Sequence, residues 1–452
     1  MYSDAIVSIA GAVPSTVAMP FIEPLYWSVR RGEHWAIAGA NGSGKSLTAG
    51  IVCGRYPLRA GSVRYGLTGK PHEGIKSISF RDIYSTGDMR NAYYQQRWHA
   101  TEVDGLPAVR DMFAAEPDAG MARAFGLEGC FDKKIIHLSG GEMRKCFLLR
   151  ALMSAPEILI IDNPYAGLDI ASREMMNAML TQIAAMRRTQ LMLLIADAGE
   201  IPDVITHVLP VVGGRYLPPA SREAFLADAA LLHEVFPTRG AAPMLPPARR
   251  EASTHRVTFR MENITLRYGN RTVFDGLNWE ALNGEKWSLT GPNGSGKSLL
   301  LSMLYADNPQ AYAQRLYVFD RRRGTGESIW DVKRRTGYVS PEMHLYYADG
   351  VGAHRDVVAA WMETFGIGGM SARPFSTLSF GEQRLMLLAG AFANDPDLLI
   401  LDEPMHGLDA ANRARVRGII TDFCAREGKT LVYVTHCFDE MPDCVTRHFS
   451  LY

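Results

Sequence analysis

Gly39-Ala40-Asn41-Gly42-Ser43-Gly44-Lys45-Ser46 is the stretch that decides the fold, and Gly291-Pro292-Asn293-Gly294-Ser295-Gly296-Lys297-Ser298 repeats it. Both fit the pattern G-x-x-x-x-G-K-[ST], in which backbone N–H groups cradle phosphates, the lysine reaches the β- and γ-phosphates and the serine hydroxyl binds Mg²⁺. Each loop follows a strand-like run, at 33–38 or 285–290, and precedes an apolar segment suited to a helix. Two such loops predict two nucleotide sites in one chain.

Composition limits the class of protein. The chain has 452 residues, of which 47% are hydrophobic, enough for two globular domains of roughly 200 residues each. Lysine plus arginine equals aspartate plus glutamate, at 48 each, so no net charge attracts nucleic acid. The sequence has no apolar run of about 18 residues that predicts a membrane span and no signal-peptide pattern. Six scattered cysteines without a C-x-x-C pair indicate reduced thiols, no zinc site and a cytoplasmic protein.

Three further segments recur in the same order. Lys45 and Lys297 differ by 252 positions, and every later pair differs by 240. This shared order identifies two homologous domains rather than coincidental motifs. The later pairs are 138–142 with 378–382, 158–164 with 398–404, and 167–169 with 407–409.

Over nearly the whole chain the sequence resembles the ABC (ATP-binding cassette) ATPase family. The resemblance lies in the phosphate loop, the LSGGE-type signature, the apolar strand ending in aspartate and the Gly-Leu-Asp loop. Residues 320–331 and 337–344 resemble, more narrowly, the tandem ModF-type proteins, described as molybdenum-transport ATP-binding proteins and also as photorepair proteins. The resemblance implies two α/β P-loop NTPase domains. Each would have a mainly parallel sheet core, an antiparallel β part and a helical signature subdomain.

We place the first domain at 1–215, a linker at 216–256 and the second domain at 257–452. The prolines and small residues of the linker indicate a semi-rigid tether with one apolar, helix-like piece at 224–235. The resemblance implies that the two domains pair within the chain, each ATP lying between the phosphate loop of one domain and the signature of the other.

The second domain has a complete set of residues for hydrolysis. Lys297 contacts phosphate, and Glu403, directly after the apolar strand, is placed to polarise the attacking water as a general base. The resemblance assigns His436 as the switch histidine at the γ-phosphate and Tyr268 as the ring that stacks on adenine. The expected ATP-binding residues are those of both phosphate loops with Tyr268, Ser139, Gly140, Gly141, Ser379 and Gly381, and the expected Mg²⁺ ligands are Ser46, Asp162, Ser298 and Asp402.

The first domain lacks several of these groups. Asn163 stands where Glu403 is expected and Ala196 where His436 is expected, and no aromatic residue aligns with Tyr268 near position 16. The signature expected to face this site contains Phe380 in place of a glycine. We therefore predict one hydrolytic and one degenerate site. The alternative is that both copies are degenerate remnants.

Two segments bear on what the ATPase drives. The family's Q-loop glutamine is absent from Ser340-Pro341-Glu342, whereas 93–97 of the first domain offers candidates. The run 321–323 of three arginines is either an anion or RNA contact or a solvated loop held by ion pairs, and we favour the loop.

Three functions remain open. The first is the energising subunit of a transporter, whose permease chains are encoded elsewhere and which would hold the protein at the inner face of the membrane. The second is a soluble translation factor that acts on ribosomes, and the third is a stand-alone regulatory or repair-associated ATPase. The short, proline-broken linker counts against the translation factor, so we expect nucleic acid or a ribosome less than a permease. Molybdate as a transported substrate is implied by the resemblance alone.

Overall fold

The computed structural model describes residues 5–15, 22–79, 108–135, 138, 140–165, 168, 170–237, 244–268, 271–292, 295–341, 343, 355–435, 437 and 440–451. Contacts divide them into two compact units. The first draws on 5–79, 108–237 and 407–411, and the second on the other described residues from 244 onward. Each unit contains one phosphate loop.

The first unit combines a small antiparallel sheet with a larger, mainly parallel one. The antiparallel sheet has the order β2-β1-β4, and the larger sheet has the order β10-β8-β3-β7-β6-β5, with β9 paired to β8. The five strands from β8 to β5 run parallel. The elements are β1 (Ala5–Pro14), β2 (Leu25–Arg30), β3 (Trp35–Ala38), α1 (Lys45–Val52), β4 (Leu58–Tyr65), α2 (Pro71–Gly74), β5 (Ile75–Ser79), α3 (Ala119–Ala124), α4 (Gly140–Leu152), β6 (Ile158–Asp162), α5 (Ile170–Ala185), β7 (Gln190–Ile195), β8 (His207–Val212), β9 (Arg215–Tyr216), β10 (Ala220–Ser221), α6 (Arg222–Ala227) and α7 (Ala229–Val235).

The second half of the chain repeats this plan. Its antiparallel sheet has the order β12-β11-β14-β15, and its parallel sheet has the order β16-β17-β18-β13-β19. The elements are β11 (Val257–Tyr268), β12 (Arg271–Leu282), β13 (Lys286–Thr290), α8 (Lys297–Leu304), β14 (Arg315–Val318), β15 (Arg321–Arg322), α9 (Ile329–Lys333), β16 (Thr336–Val339), α10 (Arg355–Phe365), α11 (Phe380–Ala393), β17 (Leu398–Asp402), α12 (Ala410–Cys424), β18 (Thr430–Val434) and β19 (Arg447–Ser450). The predicted fold class of two α/β P-loop domains is confirmed.

The strand β6 shows why the central strands have continuous runs of apolar residues in the sequence. Its first four side chains are all buried, but Leu159 and Ile161 join one core cluster whereas Ile158 and Ile160 join another. Side chains of a strand alternate between the two faces of the sheet, and both faces of a parallel sheet are covered. A run without polar positions therefore fits a central strand, and β6 ends where the first polar residue, Asp162, reaches the sheet edge.

Helical structure in the predicted linker is split in two. The apolar piece forms α6 and α7 rather than one helix, because Asp228 ends the first and caps the second, its Oδ1 accepting a hydrogen bond from Leu231 N at 3.0 Å. Phe225 and Val235 are buried in the core of the first unit. The boundaries at 215 and 257 stay a prediction.

Residues 249 and 250 are tied to the rest of the second unit through one buried carboxylate. Asp395 Oδ2 accepts hydrogen bonds from the backbone N–H groups of Arg249 and Arg250, at 2.8 and 3.0 Å. Lys429 Nζ lies 2.7 Å from Asp395 Oδ1, and both side chains are almost fully buried. Burial raises the pKa of Asp395, but the hydrogen bonds from Lys429 and Arg249 outweigh it and hold this pKa below its usual value. Asp395 is therefore the anchor of this segment.

We expect Asp395→Asn to lower the free energy of unfolding by about 3 to 5 kcal/mol at neutral pH, because it leaves the Lys429 ammonium buried without its charge partner. The pKa is lower in the folded chain, so this stabilisation is complete above the unfolded-state pKa of 3.8 and is lost as the pH falls through the folded-state value. Denaturant unfolding at pH 7 and at a pH well below 3.8 measures both effects. Asp203→Asn is the control, since Asp203 is 97% exposed in its pair with Arg222. Equal losses for the two variants would contradict the assignment.

Within the described ranges, every helix is too short or too polar to cross a membrane.

Candidate functional site

The two phosphate loops lie at strand-to-helix junctions. One connects β3 to α1 and the other connects β13 to α8. The last glycine of each loop caps its helix in the left-handed region, with φ of 111° at Gly44 and 97° at Gly296. A Cβ at Gly296 would also lie 2.6 Å from the ring of Phe274. Glycine is required here, and the N–H groups in the first turn of a helix favour the binding of an anion.

Both loop lysines lie against their own loop. Lys45 Nζ donates to the carbonyl oxygens of Gly39 and Ala40, the latter at 2.8 Å. Lys297 Nζ donates to Gly291 O at 2.7 Å and to Pro292 O at 3.0 Å. The ammonium groups thus lie at the mouths of the loops, where a phosphate would compete with these carbonyls for them.

A serine hydroxyl and an aspartate carboxylate meet in each unit. Ser46 Oγ donates to Asp162 Oδ2 at 3.2 Å, and Ser298 Oγ donates to Asp402 Oδ2 at 3.1 Å. Hydroxyl and carboxylate oxygens are the hard ligands that Mg²⁺ prefers, so both donor sets fit this metal. Burial, reinforced by the neighbouring charge of Glu403, raises the pKa of Asp402 to about 6.

The residue after each aspartate takes the same backbone conformation in both units. Asn163 and Glu403 have φ of 52° and 46°, and their N–H groups donate to Leu194 O and Val434 O at 3.2 and 2.9 Å. The left-handed region is easier for asparagine than for glutamate. The amide of Asn163 in the first unit and the carboxylate of Glu403 in the second unit are therefore attached to equivalent backbone positions.

Several predicted site residues lie outside the described residues, namely Ser139, Asn293, Gly294 and His436. Tyr268 ends β11, but its side chain is not described. Ala196 directly follows β7 and is buried.

The signature segments begin helices α4 and α11. Ser379 caps α11 and forms a capping box with Glu382, whereas Gly140 and Gly141 form the first turn of α4. The Phe380 side chain is only 7% exposed and packs edge-on against His406, with ring centroids 5.3 Å apart. The bulky replacement for glycine is therefore buried within its own unit.

Arg384 belongs to this region, although no motif pointed to it. Its guanidinium is buried on α11 and donates to backbone carbonyls of the turn that contains Glu403. Arg144, 240 positions earlier, donates to Pro164 O at 3.1 Å in the first unit. The recurrence of arginine two residues after the signature glutamate was the available signal.

The arginine run 321–323 is held as a loop by ion pairing. Arg321 and Arg322 are exposed in the two-residue strand β15, whereas Arg323 is buried and pairs with Glu327 at 2.7 Å. Glu327 also accepts the N–H of Gly324 at 2.9 Å. The interpretation as a solvated loop partly held by ion pairs agrees with this geometry.

The fold and the two phosphate loops define a P-loop nucleotide-binding protein with two nucleotide-binding domains, or cassettes, one in each unit. The family model described as ABC transporter matches residues 22–166 and 274–406. The ABC transporter ATP-binding protein ModF of Escherichia coli K12 is 32% identical, covering 94% of this chain and 92% of its own. An uncharacterised ABC transporter ATP-binding protein of Schizosaccharomyces pombe is 27% identical over 95% and 94% of the two chains. The chain belongs to the ABC transporter ATP-binding family, as a tandem member.

A solved structure shares the fold over nearly the whole chain. The RNase-L inhibitor matches with a TM-score of 0.55 at 18% identity, over 97% of this chain and 87% of that one. This likeness concerns the fold. Membership of the family establishes that the chain binds ATP and is an ABC ATPase.

Proposed function

We propose that the second cassette hydrolyses ATP and that the first binds it without comparable turnover. One observation carries this proposal: the turns after β6 and β17 share their backbone geometry, yet Asn163 occupies the position of Glu403. A general base needs a group that accepts a proton, which a carboxylate does and an amide does not. The loss of the histidine equivalent, at Ala196, falls in the same cassette.

The parts for nucleotide binding are present in both cassettes. Each has a glycine-capped loop, a lysine at its mouth and a serine–aspartate pair suited to Mg²⁺. We therefore infer that Mg²⁺ accompanies ATP as its cofactor, held by Ser298 and Asp402 in the second cassette and by Ser46 and Asp162 in the first. When bound, the ion neutralises phosphate charge and orients the γ-phosphate.

The two cassettes, in this proposal, pair head to tail within one chain, as the family resemblance implies. The signature at Ser139, Gly140 and Gly141 would then complete the hydrolytic site. Glu403 would polarise the attacking water, Lys297 and His436 would contact the γ-phosphate, and Tyr268 would stack on adenine. Positioning and charge neutralisation are the main sources of rate in such a site.

We further propose that hydrolysis energises a membrane transporter whose permease subunits are separate chains. The full-length similarity to an ABC transporter ATP-binding protein supports this assignment. A molybdate-related substrate is the narrower hypothesis, and it rests on the ModF-type resemblance alone.

The test is co-purification of the trapped variant Glu403→Gln with ATP from native cells after gentle solubilisation of the membranes. We expect integral membrane chains to accompany the protein and to depend on ATP, with the same variant purified without ATP as control. Ribosomal proteins and RNA in their place would overturn the transporter assignment in favour of a translation factor. Recovery of the protein alone would also contradict it and favour a stand-alone ATPase.

A further inference from the structure

Arg384 lies at the meeting point of three segments of the second unit. It sits in the first turns of α11, and its side chain is 2% exposed. Four backbone carbonyls accept its hydrogen bonds: Ser340 O from Nη1 at 2.6 Å, Pro404 O from Nε at 3.1 Å, and Asp402 O and Glu403 O from Nη2 at 2.9 and 2.5 Å. One planar guanidinium thus joins the signature helix, the residue after β16 and the turn after β17.

The turn held by Arg384 is conformationally costly. Glu403 has φ of 46°, in the left-handed region, where the Cβ of an L-residue comes too close to the following carbonyl oxygen. Such a backbone persists only where its surroundings hold it. The bonds that hold this one include Glu403 N to Val434 O on one side and Arg384 to Glu403 O on the other.

The Arg384 guanidinium is also buried, which disfavours its positive charge. Burial lowers the pKa of Arg384 to about 10, while the negative charges of Asp402 and Glu403 act in the opposite direction. Buried charges are retained when hydrogen bonds satisfy them. Two of the four acceptors here are the backbone carbonyls of Asp402, the proposed metal ligand, and Glu403, the proposed general base. Lysine could not reproduce this contact set, because its single nitrogen lacks the planar fork of arginine.

We propose that Arg384 is a positioning residue for ATP hydrolysis, which fixes the backbone of Glu403 from the signature helix and so sets where its carboxylate lies. The inference rests on the proposed role of Glu403 as the general base. A displacement of α11 or of Ser340 is transmitted through the guanidinium to the Glu403 backbone. Arg384 touches neither nucleotide nor metal in this role, so its loss affects turnover more than binding.

The experiment compares Arg384→Gln and Arg384→Lys in the full chain, with kcat and KM for ATP measured separately and binding followed with a fluorescent ATP analogue. Misplacing a catalytic group by about 1 Å costs on the order of 10²-fold, so we expect kcat of R384Q to fall by about that factor. KM and the analogue's Kd should stay within roughly threefold. R384K should lie between R384Q and the unmodified protein, because it keeps the charge but fewer of the bonds.

Arg144→Lys is the matched control, because it makes the same change beside Asn163. We expect R144K and R384K to lower the unfolding midpoint similarly, while kcat falls more in R384K. Equal effects on kcat would mean that the arginines act through stability alone and would overturn the inference. Full kcat in R384K would do the same, and this variant decides the matter if R384Q does not fold.

Glu403→Gln, measured in parallel, separates the two proposals. If E403Q still turns over ATP, the proposed hydrolytic site is wrong and Arg384 loses its role with it. If E403Q is inactive and the Arg384 variants keep their kcat, only the inference about Arg384 fails.

Discussion

Glu403→Gln is expected to lower kcat for ATP hydrolysis by about 10²- to 10⁴-fold, which is the usual cost of losing a general base. The substitution replaces one carboxylate oxygen by an NH₂ group and keeps the size of the side chain, so the turn after β17 should keep its geometry. ATP should still bind, because the loop and the Ser298–Asp402 pair are untouched. Steady-state phosphate release and binding of a fluorescent ATP analogue measure the two properties separately.

Asn163→Ala is the matched control for this prediction. Asn163 has the same position and the same left-handed backbone as Glu403, but its amide cannot accept the proton of water. We expect N163A to keep most of the turnover. Loss of activity in N163A with activity retained in E403Q would assign hydrolysis to the first cassette, and equal losses would remove the distinction between the sites.

The sequence was sufficient to predict the parts of the fold that are local. The strand before the first phosphate loop was expected at 33–38 and is found at Trp35–Ala38, because a short apolar run before a glycine-rich loop leaves few alternatives. The two domains followed from the spacing of repeated motifs, which needs no structure. The split between α6 and α7 was not foreseen, because the capping of a helix by Asp228 competes with apolar periodicity that continues past it.

The environment of the signature in the second unit could not be predicted in the same way. Phe380 was expected as a bulky group in the turn, but its ring is buried on His406, 26 positions later. Arg384 reaches Ser340 over 44 positions. Contacts of this range depend on how strands and helices pack, and a local pattern does not contain that information. The pairing of Ser298 with Asp402, by contrast, was predictable because both ends carry motifs.

Asp402→Asn should be as damaging to turnover as any substitution that preserves side-chain size. Asp402 Oδ2 accepts a hydrogen bond from the Ser298 hydroxyl, with 3.1 Å between the two oxygens, and the pair is the proposed Mg²⁺ site of the hydrolytic cassette. Asparagine keeps an oxygen but removes the charge that a hard divalent cation favours. Metal stabilisation of transferring phosphoryl groups contributes several kcal/mol, so we expect kcat to fall by about 10²-fold or more. Titration with Mg²⁺ should show a higher concentration at half-maximal rate.

Stability should change in the opposite direction to activity in this variant. The pKa of Asp402, raised to about 6 mainly by burial, means that the folded chain holds this proton more tightly than the unfolded chain does. Stability from the protonated group is therefore complete below the unfolded-state pKa of 3.8 and is lost as the pH rises through about 6. The metal-free D402N protein should thus unfold at a higher temperature than the unmodified protein at pH 7.5, with a smaller difference at pH 5.

Asp162→Asn completes the comparison, since the Ser46–Asp162 pair has nearly the same geometry, at 3.2 Å, beside an amide instead of a carboxylate. If the first cassette binds MgATP without hydrolysing it, D162N weakens nucleotide binding there and lowers kcat by less than about tenfold, well short of the effect of a lost catalytic metal ligand. Equal loss of kcat in D162N and D402N would mean that both sites must turn over together. That result would contradict the division of labour that Asn163 implies, even if E403Q were inactive.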